Sequence, residues 1–429
     1  MGEPRLDHVL DSLRSRLTAF EDTGDPSGLF SDAATEEAAL LIDAVRERTS
    51  AGLDDAWDDA ALATAGRLHW KRHLTVPPSD TVHDEAALVL FIRPFRSDRS
   101  LVPEVVWSHL AGQTDDADRL SLVELPAEEI ARVAESAAGR GLAPALVLPL
   151  RVADAMLPGR HPGSAPVLSA LAIVHHALHG SGDDGALDAA IEAADRAAAA
   201  GPDDWPGRAV LLSRLGMFLW ERYNRDGDEA DLTASETANR DAVRACGEAG
   251  PARPGCLHNL VLALLSRYEL GHEPAVLAEA VETGREAART TDPAHQVAPL
   301  HALSLSAALR LDFDRTGDPA ATAEAERALT AALAGAAADN PYRPMVWARL
   351  GDLPHGRFDR DGDEADREAA LGWYRKVLDA VPEGEPLHAD VAEAVAALSG
   401  DPRPPEAPRR PEAPRERRGR RRWRWTRAG

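Results

Sequence analysis

A short loop centred on glycine recurs along this chain, and the interval between its copies limits what the chain can fold into. Four copies read SGD, DGD, TGD and DGD, one is degenerate, and a further TGD lies near the start. Their glycines are Gly24, Gly182, Gly227, Gly271, Gly317 and Gly362. The last five follow one another at intervals of 45, 44, 46 and 45 residues. A fixed period of this length is typical of repeat proteins, in which each repeat packs against the next.

The residues on both sides of each loop have the pattern of two amphipathic helices. An aromatic residue or leucine precedes most of the glycines by four positions, as Tyr223 precedes Gly227. Tyr268 precedes Gly271 by only three, which predicts that this loop has lost one residue. After each loop, apolar residues recur at i, i+3, i+4 and i+7, the stripe of a helix with one buried face.

The loop residues predict how one helix ends and the next begins. Glycine adopts the left-handed conformation that ends a helix, and the aspartate after it can cap the following helix. Proline-bearing turns such as Gly201-Pro202 separate one pair of helices from the next. The six glycines are therefore predicted to be structural residues of the repeat loops. The fold class is all-α, a right-handed α-solenoid of stacked helical hairpins that resemble tetratricopeptide units but span about 45 residues.

The chain divides by composition into three regions. Residues 1–160 are predicted to form divergent helical hairpins, and residues 163–400 a regular array that ends in a cap helix at Leu387–Leu398. Residues 401–429, rich in proline and arginine, are predicted to be a disordered basic tail. Helices predicted in the first region are Leu6–Phe20, Ala33–Arg48, Asp55–Leu74, Val82–Arg96, Leu101–Leu110, Ala127–Arg140 and Leu142–Leu157.

Two segments of the regular array resemble a known kind of repeat. LGMFLWERYNRDGDEADL (215–232) and LRLDFDRTGDPAAT (309–322) are similar to the long tetratricopeptide-like repeats of actinobacterial proteins. Residues 66–106 are similar to the region that leads into such arrays, and the resemblance covers residues 6–110 and 163–399. Arrays of that group often precede a caspase-like CHAT protease domain or accompany signalling ATPases. The resemblance implies a role in signalling or defence, here without a CHAT domain.

A histidine cluster invites a metal interpretation. His175, His176 and His179 form an HHxxH motif, and the i, i+4 spacing of the outer two is that of metal ligands on a helix. A metalloprotease would have HExxH with a general-base glutamate, which is absent. We interpret these residues as surface histidines, with adventitious metal binding as the alternative.

Alternating aspartates at Asp359, Asp361 and Asp363 suggest calcium, but the distal glutamate of an EF-hand is not correctly placed. We interpret them as helix-capping residues.

The sequence contains no phosphate-binding GxxxxGK[ST], no GxGxxG after a strand and no GxSxG. Its two cysteines, Cys246 and Cys256, are ten residues apart, and we expect reduced thiols although one bridge could join them. The sequence thus predicts no catalytic residue, cofactor or metal, and no enzyme.

Charge is strongly segregated along the chain. The net charge is −23, but the last 29 residues hold 11 arginines and four acids, so the preceding 400 residues carry −30. An acidic body argues against nucleic-acid binding by the folded part. Arginine interleaved with tryptophan suits phosphates, stacked bases or anionic lipid, although the tail could instead lie on the acidic body or be inert. The tail residues considered for polyanion binding are Arg417, Arg418, Arg420, Arg421, Arg422, Trp423, Arg424 and Trp425.

These observations favour a non-enzymatic scaffold that binds a protein or peptide partner on the concave face of the array. The alternative is an adaptor that reaches nucleic acid or an anionic membrane through the basic tail. No apolar signal-peptide core follows Met1, and no apolar run is long enough to be a transmembrane segment. The sequence therefore predicts a soluble, cytoplasmic protein.

Overall fold

The computed structural model describes residues 6–107, 110, 143–157 and 163–400, apart from residue 54, residues 78–81 and residue 184. Within these ranges the chain forms α-helices joined by turns and contains no β-strand, which confirms the all-α class. The basic tail and the predicted helix Ala127–Arg140 lie outside the described residues. By their contacts the residues form two compact units, Met1–Ala245 and Cys246–Gly429. The domain boundaries drawn from composition stay a prediction.

The first unit contains nine described helices. They are α1 (Leu6–Thr23), α2 (Asp32–Ser50), α3 (Ala56–His73), α4 (Val82–Ser97), α5 (Ala143–Met156), α6 (Ser164–Gly180), α7 (Ala186–Ala200), α8 (Arg208–Asp226) and α9 (Glu229–Cys246). Each helix from α1 to α7 packs against the next described helix in the chain. In the last hairpin the hydroxyl of Ser235 on α9 donates to the carbonyl of Gly216 on α8, at 2.6 Å. Neighbours in sequence are therefore neighbours in space.

The second unit contains three hairpins and a final helix. They are α10 (Arg253–Gly271) with α11 (Pro274–Thr290), α12 (Ala298–Thr316) with α13 (Pro319–Gly335), α14 (Arg343–Asp361) with α15 (Glu364–Ala380), and α16 (Pro386–Ser399). The first helices of successive hairpins contact one another, and the second helix of each hairpin also contacts the first helix of the next. This is the contact pattern of stacked helical hairpins.

One residue at the end of the first helix, or in the loop just after it, is left-handed in each hairpin, and these residues follow a constant period. These residues and their φ angles are Gly182 (102°), Gly227 (82°), His272 (52°), Gly317 (71°) and Gly362 (71°). Successive members are 45 residues apart without exception. Gly24, with φ of 70°, ends α1 in the same way. The hairpins therefore repeat without insertion or deletion.

The assignment of the degenerate loop to Gly271 is wrong by one residue. Gly271 is the last residue of α10, and His272 takes the left-handed conformation instead. The amide of His272 donates to the carbonyl of Tyr268 at 2.7 Å, as the amide of Gly227 donates to that of Tyr223 at 2.8 Å. No residue has been lost from this loop, because the hydrogen bond, rather than the glycine, defines the position.

The aspartate after the left-handed residue caps the second helix, as predicted. The amides of Ala230, Ala320 and Ala365 each donate at 2.9 Å to the aspartate two residues before them. The degenerate loop has Glu273 in this place, and its side chain forms no cap hydrogen bond. Asp361, one of the alternating carboxylates, instead pairs with Arg360. Helix capping and a local ion pair account for these residues.

The two helices of a hairpin cross most closely at one recurrent pair of positions. A Cβ atom added to Gly216 would lie 2.5 Å from the side chain of Asn239, and one added to Gly351 would lie 2.5 Å from the ring of Tyr374. The equivalent positions of the other copies hold a smaller and a larger residue as well. They are Leu171 and Ala194, Val261 and Gly284, and Ser306 and Leu329.

The first part of the predicted helix Leu101–Leu110 is not α-helical. There the chain forms two 3₁₀ turns, Arg99–Leu101 and Glu104–Val106, whereas Trp107 and Leu110 are helical. Pro103 follows Val102, whose backbone is extended as expected for a residue before proline, so no α-helix runs through residues 101–106. Trp107 packs beside the turns and donates from its indole nitrogen to the carbonyl of Val102 at 3.1 Å.

Substituting His272 with glycine is expected to stabilise the second unit by about 0.5–1 kcal/mol, because glycine adopts a left-handed backbone without steric cost. Urea denaturation of the full chain measures the change. Gly317→Ala is the matched control at the same position of the next hairpin. It should lose about 1 kcal/mol through the backbone alone, since nothing lies within 4 Å of the added Cβ. A stabilised Gly317→Ala would contradict the assignment.

Candidate functional site

The first helices of the second unit share one outward-facing stripe. It comprises the positions 17, 13, 10, 6 and 3 residues before the left-handed residue, and such spacings lie on one side of a helix. We call this stripe the A-face. Its residues are Gly255, Asn259, Leu262, Ser266 and Glu269 on α10, Leu300, Ser304, Ala307, Leu311 and Asp314 on α12, and Met345, Arg349, Asp352, Gly356 and Asp359 on α14.

The stripe stands out because the opposite sides of these helices are buried. At the position 12 residues before the left-handed residue, Leu260, Leu305 and Leu350 are 5%, 3% and 2% exposed. Most A-face residues are half-buried or exposed, whereas Ser304 and Ala307 on the central helix and Arg349 on α14 are buried. The A-face is therefore covered near its middle and half-buried or exposed at the two ends of each helix.

A buried pair of histidines packs beside the covered middle of the A-face. The hydroxyl of Ser304 donates to the carbonyl of His301 at 2.9 Å, so its oxygen accepts from Nδ1 of His258 at 3.1 Å. The hydroxyl of Thr291 likewise donates to a carbonyl and accepts from Nδ1 of His301 at 2.7 Å. Burial lowers the pKa of His258 to about 3 and that of His301 to about 4. Both rings are therefore neutral, and they hold α10, α11 and α12 together.

A second polar cluster lies on α14 and reaches into the core. Asp352 accepts from a guanidinium nitrogen of Arg349 and from the hydroxyl of Tyr374, both at 2.9 Å. Because the Tyr374 hydroxyl donates to Asp352, its oxygen accepts from Nδ1 of His355, at 3.1 Å. Burial lowers the pKa of Arg349 to about 10, and burial together with Asp352 raises the pKa of Tyr374. The cluster fixes the Asp352 carboxylate, whose side chain is 43% exposed, on the A-face.

The A-face also carries one exposed acid on the last turn of each of its three helices. These residues are Glu269, Asp314 and Asp359, which occupy equivalent positions 45 residues apart. The helix dipole disfavours negative charge at a C-terminal end, so these acids do not contribute to helix stability through it. Asp314 pairs with Arg310 at 3.0 Å, and Asp359 lies 3.7 Å from His355. Their placement offers carboxylates to a cationic group.

The histidines of the HHxxH motif have separate surroundings. Nε2 of His176 lies 2.9 Å from a carboxylate oxygen of Glu221, and its ring stacks on Phe218 with centroids 4.6 Å apart. The pKa of His175 is lowered by partial burial, and Nδ1 of His179 lies 3.4 Å from the carbonyl of Asp183. They are half-buried rather than surface residues. Over the described ranges, no group of three or more His, Cys, Asp or Glu could hold a metal ion.

Sequence reasoning missed both polar clusters. Asp352 and Tyr374 lie 22 residues apart on different helices, and no local motif joins them. A signal was available in the repeat itself: when the loops at Gly317 and Gly362 are aligned, Ser304 and Arg349 occupy equivalent positions. That alignment would have marked both as A-face residues.

Among the described helices, none is long and apolar enough to cross a membrane.

No family model matches the sequence, and no curated protein matches it. A solved structure described as "Functional Characterization of Pseudomonas Aeruginosa pilF" is 17% identical in sequence to this chain and superposes with a TM-score of 0.42. The match covers 64% of this chain and 99% of the chain in that structure. The assignment to stacked helical hairpins therefore rests on the helices and contacts of this chain.

Proposed function

We propose that the chain is a non-enzymatic scaffold that binds a protein or peptide partner along the A-face. The observation that carries this proposal is a contrast, across the five copies, between a buried position of the first helix and an outward position of the same helix. Twelve positions before the left-handed residue the copies have Ala, Leu, Leu, Leu and Leu, all buried, whereas six positions before it they have His, Glu, Ser, Leu and Gly, all half-buried or exposed. Buried positions keep their character while outward positions vary, as expected where the array presents a binding surface.

The chemistry of the A-face favours a partner segment that carries cationic side chains. Glu269, Asp314 and Asp359 form a row of exposed carboxylates, and Asp352 is fixed beside them. Complementary charge steers association and sets the register of the bound partner. The half-buried Leu262, Leu311 and Met345 add apolar surface next to these acids. This proposal retains the predicted context, a cytoplasmic signalling or defence assembly in which another protein supplies catalysis.

Reversing the acids of the A-face tests the proposal. The full chain with Glu269→Lys, Asp314→Lys and Asp359→Lys is expected to lose the partners that the unchanged chain captures from its own cells, by at least about tenfold. The folded state should persist, because lysine in the last turn of a helix is favoured by the dipole. Quantitative mass spectrometry of the captured proteins measures the loss.

The matched control reverses three exposed acids on the second helices, with Glu282→Lys, Glu326→Lys and Glu368→Lys. It changes the net charge equally and should leave capture unchanged. Equal loss from both variants would mean that total charge, rather than the A-face, governs binding. Unchanged capture by the A-face variant would refute the proposal.

The basic tail supports a second candidate, an adaptor for nucleic acid or anionic membrane. The observation in its favour is the concentration of +7 in 29 residues beside Trp423 and Trp425. Deleting residues 401–429 separates the two candidates. If the tail is the binding element, deletion abolishes binding to RNA and to phosphatidylserine vesicles and leaves partner capture intact. If neither ligand binds the full chain at physiological salt, this second candidate is excluded.

A further inference from the structure

The two cysteines of the chain meet in the structure. Cys246 is the last residue of α9, Cys256 lies in the first turn of α10, and their sulfur atoms are 3.2 Å apart. Both belong to the second unit, and Cys246 is its first residue. The sequence contains no third cysteine. Each thiol therefore has one possible partner within the chain.

The repeat geometry itself produces this proximity. The same two positions of the next copy are Thr291 and His301, which form a hydrogen bond of 2.7 Å. Further along the array, Val381 packs in the same apolar cluster as Val391. Because two copies bring the side chains at these positions into direct contact, the approach of the two thiols follows from the backbone of the hairpins.

The two thiols differ in their access to solvent. Cys256 is buried, with 2% of its surface exposed, whereas Cys246 is partly exposed. A soluble oxidant therefore reaches Cys246 first. Formation of an intramolecular disulfide requires an accessible thiol that attacks the oxidant and a second thiol within reach that resolves the mixed disulfide.

We propose that Cys246 and Cys256 are a redox-active dithiol that forms a reversible intramolecular disulfide with a low-molecular-weight disulfide as oxidant. The thiolate of Cys246 attacks one sulfur of oxidised glutathione and displaces one glutathione thiolate. The thiolate of Cys256 then attacks Sγ of Cys246 and displaces the second. Two electrons pass from the protein thiols to the oxidant, and the two protons that they lose are taken up by the two glutathione thiolates. The product is a disulfide within the second unit that closes the segment from Cys246 to Cys256.

The experiment uses the full chain, reduced and then exposed to oxidised glutathione, with intact-mass spectrometry as the readout. The unchanged chain is expected to lose two hydrogen atoms, carry no glutathione and regain its original mass with dithiothreitol. Cys256→Val should stop at the first step and retain one glutathione on Cys246. Cys246→Thr should react at least about tenfold more slowly, because the remaining thiol is buried.

Both substitutions are taken from other copies of the repeat, where Thr291 and Val346 occupy these positions, so the helical frame accommodates them. Circular dichroism checks that the helix content is unchanged. Stable glutathione adducts on the unchanged chain, or disulfide-linked dimers, would overturn the proposal. So would a lack of reaction in the unchanged chain under conditions that modify Cys256→Val.

Discussion

Gly351→Ala is expected to destabilise the second unit by about 2–3 kcal/mol, although alanine is the better helix former. The added methyl group would lie 2.5 Å from the ring of Tyr374, which is 1% exposed. The ring cannot easily move aside, because Asp352 and His355 both hydrogen-bond its hydroxyl group. Urea denaturation of the full chain, followed by circular dichroism, measures the loss.

Gly356→Ala is the matched control in the same helix. Nothing lies within 4 Å of a Cβ atom added there, so only helix propensity acts, and a gain of about 0.5–1 kcal/mol is expected. The two glycines of α14 thus predict opposite signs for the same chemical change. If both substitutions stabilise the chain, the helices do not cross as closely as described.

A paired exchange tests the crossing further. Gly351→Leu with Tyr374→Ala installs the pair that the first copy uses, Leu171 with Ala194. Each single change should cost about 3 kcal/mol, one by collision and the other by cavity formation. The double variant is expected to recover about 2 kcal/mol of the sum, because neighbouring residues are not additive. Full additivity would show that the two positions do not share one volume.

Asp58→Ala is expected to destabilise the first unit by about 3 kcal/mol, because it removes a buried charge from its partners. Asp58 is fully buried on α3. It accepts from Nε of Arg48 at 2.8 Å and from the amide of Asp55 at 2.7 Å, and Arg93 lies 3.8 Å away. Its loss leaves two arginines without this carboxylate and opens the cap of α3. Thermal unfolding followed by circular dichroism measures the effect.

Asp11→Ala is the control for Asp58→Ala. Asp11 lies on α1, its side chain is 72% exposed, and its ion pair with Arg14 is long at 3.5 Å. Exposed pairs of this kind contribute little, so a change within about 0.5 kcal/mol is expected. Similar losses of stability from both variants would mean that the burial of Asp58 does not determine its contribution to stability.

The hairpins and their period were predictable because the sequence signals for them are local. A left-handed residue followed by a capping aspartate needs only a few neighbouring residues, and their spacing gives the period. The error at Gly271 arose because residue identity was used where backbone geometry decides: His272 adopts the conformation and keeps the period at 45. The first part of the predicted helix Leu101–Leu110 is not α-helical for a local reason also present in the sequence, the proline at position 103.

The candidate site was not predictable in the same way. The Asp352–Tyr374–His355 cluster depends on where α14 and α15 cross, and this crossing follows from Gly351 being small. The contact between His176 and Glu221 joins equivalent positions of two hairpins, so it becomes visible only once the period is known. Long-range pairs of this kind are set by helix packing, which the spacing of apolar residues does not specify.

The constant period gives the proposed A-face interaction a preferred spacing of cations. Packed helices lie about 8–10 Å apart, and a polyproline II segment advances about 3.1 Å per residue with three residues per turn. If the proposed partner lay across α10, α12 and α14 in this conformation, every third side chain would be on the same side and opposite the next helix, at an equivalent carboxylate. Since Glu269, Asp314 and Asp359 recur at the constant period, the proposed interaction would select the interval between cations as well as their presence.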